Sequence, residues 1–258
     1  MARRITPRAV REALIRVGVR PMTPAMAARI EHADRVRFGR THKGLIRRAH
    51  SAAGGDVAEG DLLSPRVPAI YGRNFGGYVR EAHWLLTHQP PRPGQRVAEI
   101  GFGGGAVLLA ASRLVPRTRF VGFETSRLMT AGARKRRERA GIVKENVKFI
   151  RHWSESGLPV RTRKADQVWV QDASREPGVL DKAAALVKPG GVVKIIHYGN
   201  DGDFRTESRW IKKVVASHLP GFRINMAAAE RVRTPGLGRA HVFSRILITA
   251  RRPADAEE

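Results

Sequence analysis

Residues 96–105 read Arg-Val-Ala-Glu-Ile-Gly-Phe-Gly-Gly-Gly. A short apolar run carrying an acid, Glu99, meets a cluster of four glycines at 101 and 103–105. The sequence continues as AVLLAASRLV, whose apolar positions recur at helical spacing. Strand, glycine turn and helix together form the first crossover of a nucleotide-binding sheet. Glycines let the backbone turn sharply and approach a ligand without Cβ clashes. The helix beyond them presents unpaired N–H groups at its N-terminus. The expected ligand is an adenosine-containing cofactor.

The alternation set up here persists downstream. Strands are expected at 119–123, 146–150, 166–172, 192–198, 222–227 and 241–250. Helices are expected at 126–141, 176–187 and 206–219, the second stopped by Lys188-Pro189-Gly190-Gly191. The expected fold class is therefore α/β: a Rossmann-like, mostly parallel sheet with helices on both faces. The last two strands follow one another without a helix, so they should form an antiparallel pair at the sheet edge. Upstream, a helix fits 71–87, with Tyr78, Leu85 and Leu86 as apolar points, and Pro90–Gly94 stops it. Residues 1–52 read as basic and helical, with Val10, Leu14 and Val17 on one face. Residues 51–65 read as a linker. The expected organisation is a basic helical N-terminal region at 1–70, a Rossmann-like domain at 71–252 and an acidic tail at 253–258.

Composition narrows the partners. Lys and Arg number 48 against 23 acids, a formal net charge of +25. The excess lies on both sides of Arg96 and is not a tail. Such a field attracts polyanions, RNA above all; a codon-driven arginine bias is the alternative. With nine Phe, four Trp and three Tyr, no aromatic stacking platform for single strands stands out, which favours structured RNA held by shape and phosphate contacts. On the helix 126–141, Arg134-Lys-Arg-Arg-Glu-Arg139 suits phosphate contacts or a solvated face. The chain has no cysteine, which excludes disulfides, thiolate zinc sites and cysteine nucleophiles. No metal is expected. No apolar run reaches eighteen residues, so no transmembrane helix and no membrane partner are expected. The expected compartment is the cytoplasm. A mitochondrial presequence is the alternative reading of the arginine-rich first twenty residues.

The glycine turn alone would also serve a nicotinamide cofactor. With Glu99 before it, Glu124 closing the second strand (RFVGFE) and the Leu-Val-Lys-Pro-Gly-Gly turn at 186–191, the chain resembles the class I S-adenosylmethionine-dependent methyltransferases over roughly residues 95–250. The resemblance implies S-adenosyl-L-methionine as cofactor. It implies binding through Glu99, Gly101, Gly103 and Gly105, with Glu124 accepting from the ribose hydroxyls; a solvated strand-end acid is the other reading of Glu124. Where the family often carries an acid for adenine, this chain has Trp153, followed by Ser154 and Glu155. Trp153 either stacks on adenine or belongs to the core. The acceptor-facing residues of the family follow the fourth strand, here Gln171-Asp172-Ala173-Ser174-Arg175. Asp172 is the candidate catalytic residue, orienting or deprotonating the acceptor, or else a helix cap. His197 and Tyr198 end the fifth strand, and either could line the acceptor pocket. A weaker resemblance links EIGFG, FVGFE, DQVWVQD and KPGG to the tRNA (guanine-N7)-methyltransferases, but their Pro-Asp-Pro-Trp signature is replaced by Asp172-Ala-Ser. The expected function is methyl transfer to tRNA or rRNA. The alternatives are a small-molecule or protein acceptor, and a non-catalytic RNA-binding factor on the same scaffold.

Overall fold

The computed structural model describes residues 4–23, 25, 26, 29, 75–151, 163–171, 178–199, 204–234 and 241–255. Within them the chain forms α1 (Pro7–Arg16), α2 (Phe75–Thr87), β1 (Arg96–Ile100), α3 (Ala106–Leu114), β2 (Arg119–Glu124), α4 (Arg127–Arg139), β3 (Val147–Arg151), β4 (Ala165–Gln171), α5 (Val179–Leu186), β5 (Val187–Gly199), α6 (Phe204–His218), β6 (Arg223–Thr234) and β7 (His241–Arg251).

The strands form one seven-stranded sheet in the order β3-β2-β1-β4-β5-β7-β6. The first five pair in parallel, and β7 runs antiparallel to both β5 and β6. This is the mostly parallel sheet with an antiparallel end pair that the sequence implied. The strand order reverses between β1 and β4, where a doubly wound sheet opens a crevice at the carboxyl ends of its strands.

Alternating residues divide the core in two. Val97, Phe120, Phe149, Trp169 and Ile196 face a first cluster with side chains of α1, α2, α3 and α4. Ala98, Val121, Val168, Val193 and Ile195 face a second cluster with α5 and α6. Helix α1 is capped by Thr6, whose hydroxyl accepts from Ala9 N–H, and starts on Pro7. Its Val10 and Leu14 are fully buried in the first cluster. The described part of the N-terminal region thus shares the core of the sheet.

The Lys-Pro-Gly-Gly segment differs from its expected place. It does not precede β5 but lies inside it, as a bulge between the pairs Ala165↔Val187 and Gln167↔Val192. Asp166 ties it down, taking Lys188 Nζ at 3.0 Å and Arg96 N–H at 2.7 Å. Gly191 is required there: a Cβ would sit 2.9 Å from two backbone carbonyl oxygens. Strand β6 also runs to Thr234, past the expected end at 227.

A buried cation joins helix to sheet. Lys194 is fully buried and donates to the carbonyls of Leu85 (2.6 Å) and Gln89 (2.8 Å) at the end of α2. A cation at a helix C-terminus meets the negative end of the helix dipole. Burial nevertheless pulls its pKa down to about 7.

Gly122 gives a direct test of the packing. A Cβ there would lie 2.4 Å from Phe102 Cδ1 and 3.0 Å from Leu108 Cδ1. Phe102 is itself held against Phe149, ring centroids 4.7 Å apart. Gly122→Ala is expected to lower stability by about 1–3 kcal/mol, read as a fall in the thermal midpoint.

Candidate cofactor and acceptor site

The glycine loop follows β1 directly. Gly101, Gly103 and Gly105 have φ of 75°, 52° and 72°, left-handed values that glycine adopts at no steric cost. Gly101 N–H donates to Phe123 O at 2.8 Å, which keeps the loop in line with β2. Phe102 turns into the core, so its ring anchors the loop from below. Gly105 begins α3, and a Cβ there would meet the Phe149 ring at 2.6 Å.

Glu124 is brought to this loop by the end of β2. Its Oε2 accepts from Gly103 N–H at 2.8 Å. Its Oε1 accepts from Ser126 N–H at 3.1 Å and from the Thr125 hydroxyl at 3.3 Å. Backbone donors from two loops therefore fix the carboxylate at the mouth of the crevice. This is not the freely solvated acid allowed by one reading of the sequence.

Glu99 lies one strand away and is buried. Gln171 at the end of β4 donates from Nε2 to its Oε1. Its Oε2 is buried with no hydrogen-bond partner among the described residues. Burial is the main cause that pushes its pKa up to about 8; the Gln171 bond opposes this, and Glu124 and Glu81 reinforce it. At neutral pH Glu99 is mostly a neutral acid, able to donate as well as accept.

A second buried network stands on the same face. Glu81 of α2 is 3% exposed and pairs with Arg245 Nη2 at 3.3 Å. Arg245 also holds Glu230 at 2.5 Å, and Arg80 holds Glu230 at 2.6 Å. The Arg245 guanidinium lies over the Tyr198 ring, 5.6 Å from its centroid. Burial raises the pKa of Glu81, and Arg245 partly offsets the rise. Tyr198 is also raised, first by burial and then by Glu81. The sequence did not single out Glu81 or Arg245. The available signal was the position of Glu81 on the apolar stripe of α2, three after Tyr78 and four before Leu85.

Trp153 and Asp172 lie outside the described residues, as do Ser154, Glu155 and residues 173–175. The residue of the 171–175 segment that reaches Glu99 is Gln171. His197 and Tyr198 do not share one position: neighbours on a strand face opposite ways. His197 is buried, 2.6 Å from Glu207 Oε1 of α6 and beside the Trp210 ring.

The arginines of α4 also divide. Arg134 donates to Phe149 O, Arg136 Nη1 to Gly104 O at 2.9 Å, and buried Arg137 to Val147 O. These three hold β3 and the glycine loop. Lys135 and Arg139 remain exposed. Among the described residues, no helix is long and apolar enough to cross a membrane.

Residues 97–191 match the family model described as a methyltransferase domain. The fold is similar to a precorrin-6y C5,15-methyltransferase of Geobacter metallireducens (TM-score 0.51, 18% identity, covering 67% of this chain and 88% of the other). It is similar also to a structure of the Trm112 methyltransferase activator of Haloferax volcanii with its methyltransferase partner (TM-score 0.58, 18% identity, 76% and 99% covered). The [4+2]-cyclase SpnF shares the fold as well (TM-score 0.55, 18% identity, 67% and 80% covered). Sheet order, glycine loop and matched domain define a Rossmann-like group-transfer enzyme. The chain is a class I S-adenosylmethionine-dependent methyltransferase, and S-adenosylmethionine is its methyl donor.

Proposed function

We propose that this enzyme methylates structured RNA, tRNA or rRNA. The observation that carries the reading is the net charge of +25, spread over both parts of the chain. Phosphate contacts supply most of the affinity of such a protein for RNA without reading its sequence.

The donor set fits the cofactor. A carboxylate fixed at the end of β2 suits vicinal ribose hydroxyls. A side-chain-free loop of glycines admits a ligand close to the backbone, and the orphaned Glu99 Oε2 leaves a buried polar partner to be satisfied. When bound, S-adenosylmethionine supplies an activated methyl group open to direct displacement by a nucleophilic atom. In this reading Glu124 holds the ribose, and Glu99 with Gly101, Gly103 and Gly105 lines the rest of the cofactor crevice. Trp153 meets adenine. Asp172 orients the acceptor or takes its proton. Much of the catalysis is then alignment.

Cell RNA incubated with the enzyme and isotope-labelled cofactor, then digested to nucleosides, is expected to show a labelled nucleoside from tRNA or rRNA by mass spectrometry. Label found only in small molecules or protein would refute the RNA acceptor. RNA binding without any transfer would point to a binding factor on this scaffold.

A further inference from the structure

Between the C-terminal end of α1 and the outer side of α4 lies a groove of about 490 Å³. Arg16, Arg20, Lys135 and Arg139 line it, and none of its lining residues is acidic. None of these four is held in an ion pair among the described residues. At one end the groove reaches Gly104, the glycine whose carbonyl Arg136 holds.

The groove is built open. Gly132 faces it from the middle of α4, and a Cβ there would meet nothing within 4 Å; the same holds for Gly18 at the end of α1. These glycines are therefore not required by packing against described neighbours. Lys135 and Arg139 stand one helical turn apart on the same side of α4, while Arg16 and Arg20 face them from α1 and the turn after it. Two exposed apolar side chains, Ile15 (43%) and Leu128 (46%), also line the groove. Cations on two walls with apolar surface between them complement a chain of phosphates joined by sugars. Arginine in particular matches phosphate with its planar fork of donors.

We propose that this groove is a phosphodiester track that seats the backbone of the RNA substrate against the glycine loop. The proposal rests on the RNA reading above and adds the place of contact. The three inward-turned arginines of α4 are positioning residues for the loop. The outward cations make the contacts.

The test uses fluorescence anisotropy with labelled total tRNA over a salt series, on the full chain. Arg16→Glu with Arg139→Glu is expected to weaken binding more than about 30-fold and to reduce the salt slope by about 2, one unit for each lost phosphate contact. Cofactor affinity should be unchanged by calorimetry. Lys212→Glu with Lys213→Glu, exposed on α6 across the sheet, makes the same change in net charge and should leave the slope as it was. Gly132→Leu fills the groove without altering charge. Leucine suits a helix interior better than glycine, so weaker tRNA binding at an equal or higher thermal midpoint is expected. If the groove variants bind like the wild type, or only as weakly as the α6 pair, the track is wrong while the RNA reading stands. If wild type neither binds nor methylates any RNA, both fall. Tighter binding of polyglutamate than of tRNA at equal ionic strength would also overturn the track.

Discussion

Gly103→Asp is expected to remove measurable binding of S-adenosylmethionine while the protein stays folded. Gly103 has φ of 52°, and Asp is among the few residues that tolerate this left-handed region, so backbone strain is small. The effect comes from charge and space. Gly103 N–H already touches Glu124 Oε2 at 2.8 Å. A new carboxylate there stands beside that acid and fills the cofactor's side of the loop. Like charges a few ångströms apart in a partly buried site cost about 2 kcal/mol or more, and lost access adds to this. Affinity should fall by more than about 100-fold in titration calorimetry, with the thermal midpoint close to that of wild type. Gly105→Ala should behave in the opposite way. Its Cβ would collide with Phe149 at 2.6 Å, at φ of 72°, so the midpoint should fall first. If Gly103→Asp binds cofactor within threefold of wild type, the loop does not hold it.

Gly103, Gly105 and Glu124 were legible from the sequence because strand, turn and helix are local patterns. The acid closing β2 is placed by strand length alone. What was not legible depends on contacts between distant residues. Glu81 acquires its meaning only when β7 delivers Arg245 and β5 delivers Tyr198. The run Arg134–Arg139 read as a single phosphate-binding face. A helix carrying that many arginines must turn some of them inward, and Arg134, Arg136 and Arg137 do so because Phe149, Gly104 and Val147 offer carbonyl oxygens. The Lys-Pro-Gly-Gly stop was correct as the end of α5. Its insertion into β5 follows from Asp166, which sits on the neighbouring strand and binds Lys188. His197 and Tyr198 were grouped by adjacency, whereas the two-residue period of a strand separates them.

Glu99→Gln should change the pH dependence of stability more than any other single substitution at the site. The folded protein keeps the proton on Glu99 up to about pH 8, whereas an ordinary glutamate releases it near 4.5. Between those values the native state binds more protons than the unfolded state. Through this group stability therefore falls as pH rises from about 4.5 to about 8, and is flat outside that window. Each unit of the shift corresponds to roughly 1.4 kcal/mol, so the full effect is on the order of several kcal/mol. Glutamine keeps the shape and can still accept from Gln171, but it cannot ionise. Lys194 works in the other direction, since its pKa is lowered from 10.5 to about 7. There the unfolded state binds the extra proton, and stability rises with pH from about 7 to 10.5. Wild type should thus lose thermal stability from pH 5 to 7, vary little between 7 and 8 where the two groups oppose each other, and regain stability above 8. Glu99→Gln should be flat from 5 to 7 and gain from 7 onward, with its largest advantage over wild type near pH 8. Parallel midpoint curves for the two proteins from pH 5 to 8 would show that Glu99 is not held as a neutral acid. If the cofactor's positive charges bind beside Glu99, its proton should leave on binding. Calorimetry at pH 7 in buffers of different ionisation enthalpy should then detect proton release by wild type and much less by Glu99→Gln.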